Sequence, residues 1–161
     1  MRRVNSARER IISINNHLNI LKKKTHKLSI KAEHDSVLIG ISSHENDYRL
    51  SWAINKHLGT NLIKAENLIV YNEKFDVDQE FSLFVFEDED SLLKYYLISN
   101  KCDNGYFIPE LSNIDYFLQI YGEINNNYTS ILLDKLKHIY IITAAFVIDP
   151  STLKSRKRLI H

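Results

Sequence analysis

The chain has 161 residues, enough for one domain with a real core and short for two. Its 44% hydrophobic and 25% charged residues, with only four Gly and two Pro, exclude a disordered or linker-rich chain. The net charge of +1 is unevenly spread. Residues 1–27 hold eight Lys and Arg against Glu9 alone, 150–161 hold Lys154, Arg156, Lys157 and Arg158 with no acid, and 28–149 therefore carry −10. Such asymmetry fits polyanion binding, ends that fold back on the body, or solvated frayed ends. Cys102 is alone, so no internal disulfide is expected, and a lone thiol suits a reducing cytoplasm. No apolar run approaches the roughly 18 residues needed to span a bilayer, so no membrane span is expected.

Taken in chain order, Ile11, Ile14, Leu18 and Leu21 share one helical face in a basic N-terminal stretch. This stretch lacks a secretory cleavage pattern, while its Arg-rich composition leaves transit-peptide and membrane-surface readings open. The apolar run 37–41 predicts a buried strand. A helix over 42–59 follows, with Ser42 and Glu45 at capping-box spacing, Leu50, Ile54 and Leu58 repeating every four residues, and Gly59 as a left-handed stop. "LIKAENLIVYN" is expected to be extended but irregular. "FSLFVF" and "KYYLI" read as a hairpin around the acidic "EDEDSLL" connection. "IDYFLQI" predicts another strand. A helix over 126–138 follows, with Asn126 or Asn127 as cap and Lys135, Lys137 and His138 at its negative end. The dense run 139–148 predicts a central strand closed by Pro150. Successive strands between two isolated helices predict an α+β fold: a mainly antiparallel sheet with two helices packed on one face, in a single domain over 28–149. Residues 1–27 and 150–161 are expected to be basic extensions.

One stretch is more specific. In "YFIPELSNIDY", Pro109 lacks an N–H and is expected to bend the chain at a strand end. Glu110 and Asp115 are expected to accept backbone hydrogen bonds, and Tyr106, Phe107 and Tyr116 to form an exposed aromatic patch. Ile108, Pro109, Glu110, then Ile114, Asp115 and Tyr116 after three residues, resemble the signature of the bacterial IPExxxVDY family, with Ile114 replacing valine. "NDYRLSWAINKHL" and "YYLISNKC" resemble other parts of that family. The resemblance implies no activity and no catalytic residue. Family members begin near a "HKLSI"-like stretch, here 26–30, so residues 1–24 are expected to be an extension.

Constellations for chemistry are weak. Glu110 and Asp115 are the only acid–base pair singled out, and they lie five residues apart across a bend. His44, Glu45 and Asp47 sit at a helix start, where capping accounts for the acids, so no metal site is expected. Glu87 to Ser91 lacks the ligand alternation of a calcium loop. Cys102 has Lys101 beside it and no base nearby in sequence. Four glycines form no phosphate-cradling loop, so no nucleotide cofactor is expected. The reading that results is a small cytoplasmic protein without cofactor, noncatalytic, whose acidic body docks another protein or a second copy of itself. The alternatives are nucleic-acid or ribosome association through Lys154, Arg156, Lys157 and Arg158, and an enzyme built around Glu110 and Asp115.

Overall fold

A computed structural model of the chain describes residues 36–160. The expected N-terminal helix and extension lie outside the described residues. The order is β1 (Ser36–Ser42), α1 (Asp47–Leu58), β2 (Ile63–Lys64), β3 (Leu68–Asn72), β4 (Val77–Phe81), β5 (Leu83–Asp88), β6 (Leu93–Ser99), β7 (Lys101–Cys102), β8 (Gly105–Tyr106), β9 (Tyr116–Tyr121), α2 (Asn126–Lys137) and β10 (Ala144–Ile148). Short 3-10 turns lie at Pro109–Leu111, Pro150–Thr152 and Arg156–Arg158. Six strands form one sheet in the order β10-β1-β9-β6-β5-β2, and every pairing in it is antiparallel. β3–β4 and β7–β8 are separate two-stranded ribbons.

Both helices pack on one face of the sheet, as the α+β expectation required. Leu50, Ala53 and Ile54 of α1 and Leu132 and Leu136 of α2 share a core with Ile39, Ile41, Leu97, Leu118 and Ile120. The opposite face is buried too. There Leu38, Ile98, Phe117 and Ile148 meet Phe81, Phe107, Ile108, Ile114, Leu153 and Leu159. The central strands consequently lose the in–out alternation of a half-buried strand: Leu38–Ile41 and Tyr116–Ile120 are buried without a break.

Local chemistry sets the helix ends. Gly59 adopts φ 73° after α1, and its N–H donates to Asn55 O, a left-handed stop that glycine takes without steric cost. The expected Ser42 cap is displaced: β1 runs through Ser42, which pairs with Ala144, and Asn46 caps the helix by accepting from Arg49 N at 2.9 Å. The cap of α2 likewise falls one residue early, on Asn125, which accepts from Tyr128 N at 2.8 Å. Within 139–148 only Ala144–Ile148 is strand, and it lies at the edge of the sheet rather than at its centre as expected. Ile139, Ile141 and Ile142 are buried in a turn in which Ile142 N donates to Ile139 O. An apolar run reports burial, and burial alone does not make a strand. The predicted hairpin forms as β5–β6, with Glu87 opposite Lys94 and their side chains 2.9 Å apart. "LIKAENLIVYN" is more regular than expected, since β3 pairs along its whole length with β4.

The domain does not end at 149. Leu153 and Leu159 are buried in the second core, Ile160 N donates to Gln119 Oε1 at 3.2 Å, and Gln119 Nε2 donates back to Ile160 O at 3.0 Å. Residues 150–160 are thus a strap across the sheet's second face. The sequence offered only Leu153, Leu159 and Ile160 against four basic residues, which is why composition read the segment as solvated.

Candidate functional site

Five of the six signature residues sit in one loop between β8 and β9, and Tyr116 opens β9. Ile108, Ile114 and Phe107 are fully buried. Ile108 is extended at φ −118°, as a residue before proline prefers, and Pro109 opens the 3-10 turn, where its missing N–H costs no hydrogen bond. Leu111 N then donates to Ile108 O, and Ile114 N to Leu111 O, each at 3.0 Å.

Asn100, which the sequence did not single out, holds this loop. It is completely buried. Its Oδ1 accepts from Ile108 N at 2.8 Å, and its Nδ2 donates to Leu111 O and Ile114 O at 2.9 Å each. Its own N–H donates to Asp115 O, and its carbonyl accepts from Phe107 N, both at 2.8 Å. One side chain therefore satisfies three main-chain groups, two of them fully buried.

The two signature carboxylates accept backbone hydrogen bonds, but from different parts of the chain. Asp115 Oδ2 accepts from Ser43 N at 2.9 Å, and its Oδ1 takes Lys101 Nζ at 2.6 Å. The Asp115 hydrogen bond raises the Lys101 pKa against the lowering effect of burial. Glu110 accepts from Ser155 N at 2.7 Å and Ser155 Oγ at 2.8 Å, fastening the C-terminal strap. Burial pushes the Glu110 pKa up, but hydrogen bonds led by the Ser155 N–H outweigh it and hold the carboxyl below its usual value. That is the wrong direction for a general acid. Tyr116 Oη donates to Glu45 O at 2.7 Å; burial, aided by the charges of Asp47, Asp115 and Glu45, pushes its pKa up to about 12. The loop thus ties together the entry to α1, the end of β6 and the strap. Glu110 and Asp115 are committed to different partners in that tie.

The other predicted contacts are redistributed. Lys154, Arg156 and Lys157 are exposed, whereas Arg158 Nη1 donates to Tyr106 O and Phe107 O at 3.0 Å each and holds the strap down. The expected aromatic patch at Tyr106, Phe107 and Tyr116 is absent. Phe107 is fully buried, Tyr116 is 8% exposed, and only Tyr106 reaches 37%, because this loop covers the sheet's second face. Cys102 is half-buried, with its thiol directed at Asn104 Oδ1 and Gly105 O. A cavity of about 180 Å³ lies between α1, α2 and β5–β6, lined in part by Leu58, Phe86, Leu132, Lys135 and the hydrogen-bonded hydroxyls of Tyr95 and Tyr128. Burial, then the Tyr128 bond, raises the Tyr95 pKa and keeps that hydroxyl protonated. Among the described residues no group of three or more His, Cys, Asp and Glu could hold a metal ion, and no helix is long and apolar enough to cross a membrane.

Exposed apolar side chains gather elsewhere, on the β3–β4 hairpin: Ile69, Tyr71 and Phe75 are each more than half exposed. The register pairs Ile69 with Glu80 and Tyr71 with Asp78 on the outer side, while Leu68, Val70, Gln79 and Phe81 face the body. The outer side therefore carries an apolar row on β3 beside an acidic row on β4. Tyr71 Oη donates to Asp76 Oδ1, which fixes the ring. Five acids stand against Lys74 alone within 66–80. Underneath, Phe81 meets Phe107 edge-on at 5.4 Å, Gln79 Nε2 donates to Asn104 O at 2.9 Å, and Asn104 Nδ2 donates to Asp78 O at 3.1 Å. Comparison of the chain with protein-family models, curated proteins and solved structures found no match.

Proposed function

We propose that this chain is a noncatalytic protein-interaction module of the cytoplasm that docks a basic partner on the outer face of the β3–β4 hairpin. The observation that carries the reading is the pairing of an exposed apolar row, Ile69 and Tyr71 with Phe75 at the tip, with the acids Asp78 and Glu80. Apolar anchors supply affinity once desolvated, and the acids steer and orient a positively charged partner. A segment alternating apolar and basic side chains matches both rows. Membership of the IPExxxVDY family belongs to the same proposal. Its support is the motif "IPELSNIDY", in which Glu110, Asp115 and Tyr116 each have a defined architectural partner. The nucleic-acid reading retains Lys154, Arg156 and Lys157 as exposed cations.

The test uses the full chain and an Ile69→Ser, Tyr71→Ser double variant as baits in cytoplasmic extract, with and without nuclease treatment. A protein captured by the parent chain, weakened by added salt and lost with the variant, supports the hairpin. Equal capture by both baits would remove it. Recovery of nuclease-sensitive material alone would put the basic strap first, and a copurified small molecule would return attention to the cavity beside Tyr95.

A further inference from the structure

The two edges of the main sheet are treated very differently. At one edge β2 is two residues long and carries Lys64, and the part of β5 it leaves uncovered includes Glu87 and Asp88. Short length and charge are the usual ways of preventing a strand edge from recruiting another strand. At the other edge β10, Ala-Ala-Phe-Val-Ile, bonds among the described residues to β1 on one side only. It contains no charge, no proline and no glycine. Phe146 and Val147 are 40% and 48% exposed, and they lie on opposite faces of the sheet, because Phe146 pairs with Gly40 and Val147 with Ile39. The edge therefore offers a free row of backbone donors and acceptors flanked above and below by apolar surface.

We propose that two copies of this chain pair antiparallel through β10, joining their six-stranded sheets into one continuous sheet across a two-fold axis. Three features select a second copy as the occupant. The strand has small residues in one half, Ala144 and Ala145, and large ones in the other, Val147 and Ile148. A two-fold centred on Phe146 sets the small half of each copy opposite the large half of the other, so the strand complements itself. The charges are compatible as well. Residues 28–149 carry −10 and repel a second copy over most of their surface, but 135–148 contain Lys135, Lys137 and no acid. In the same register Asp149 falls opposite Thr143 rather than opposite its own copy. Finally, an interface closed by a two-fold leaves no β10 edge free, so assembly stops at the dimer.

The experiment is sedimentation equilibrium of the full chain across a concentration series, with Phe146→Lys and Val147→Lys as variants. The parent chain is expected to reach twice its 18.9 kDa mass. Phe146→Lys places two ammonium groups face to face across the axis and is expected to weaken the dimer by about 100-fold or more. Val147→Lys replaces a half-exposed side chain and gives the same reading should Phe146→Lys disturb the fold, which circular dichroism would show. A third variant, Phe146→Cys with Cys102→Ser, should form a disulfide-linked dimer on mild oxidation, because only this register brings residue 146 against itself. A monomer at every concentration would overturn the proposal, as would a dimer indifferent to both lysine variants or one that fails to cross-link at 146. None of these outcomes depends on the hairpin, so the two readings stand or fall separately.

Discussion

The signature loop and the β3–β4 hairpin lie on the same side of the sheet, touch through Phe107 and Phe81, and are built from similar residues. Both mix aromatics with carboxylates. In the loop Glu110 and Asp115 accept two hydrogen bonds each, and Phe107 is fully buried. In the hairpin Tyr71 and Phe75 stand in solvent beside acids that satisfy little of the fold. The contrast teaches that a recognisable motif and an exposed apolar surface are separate things. The motif is where the chain is tied, and the surface is where it is left untied.

Substitutions can sharpen that contrast. The largest effect is expected at Asn100: Asn100→Ala leaves Ile108 N and Ile114 O buried without their partner, takes from Leu111 O one of its two hydrogen bonds, and should cost about 3 kcal/mol or more, read from urea unfolding. A loss below ~1 kcal/mol would mean that the loop is not held as described. Asp115→Ala frees Ser43 N and should cost about 1–3 kcal/mol, most of it from that bond, because Lys101 is half exposed and its ion pair is screened.

Glu110→Gln is expected to cost less than ~1 kcal/mol, since the carboxylate is exposed. Its signature is pH dependence. The folded-state pKa lies below the ordinary 4.5, so the contribution is fully present above that value and fades as pH falls through the lower folded value. Melting curves of parent and variant should therefore converge in acid, and a gap that persists or widens there would contradict the Glu110–Ser155 tie. The smallest change in stability is expected from Ile69→Ser with Tyr71→Ser, within about 1 kcal/mol, because these outer side chains leave the buried Phe81 face intact. A large loss would place the hairpin among the tied regions.

Much of this architecture was legible in the sequence, and what was not failed for identifiable reasons. The Gly59 stop, the β5–β6 hairpin and the bend at Pro109 depend on neighbours within a few residues, and local chemistry specified them. The Asp115–Ser43 bond joins positions 72 residues apart, and the Asn100 hub reaches 8, 11 and 14 residues along an irregular loop, so no helix or strand spacing rule finds either. Ser42 lost the helix cap to Asn46 because strand pairing claimed Ser42 first, a tertiary decision. The misplaced aromatic patch had a readable warning. "YFLQI" does not alternate, which marks a strand covered on both faces, and the cover had to come from neighbouring segments such as 106–111 and 150–160.

The position of β1 bears on how the molecule is made. The first described strand lies between β9 and β10, with Leu38 opposite both Gln119 and Ile148. On a ribosome its apolar run would emerge long before either neighbour exists. The second face of the sheet would close only when residues 150–160, with Leu153 and Leu159, had left the exit tunnel. Contacts so distant in sequence favour slow folding. Truncation before Leu159 would take Leu159 and Ile160 from the strap, exposing core to aggregation while nearly all of the fold remained.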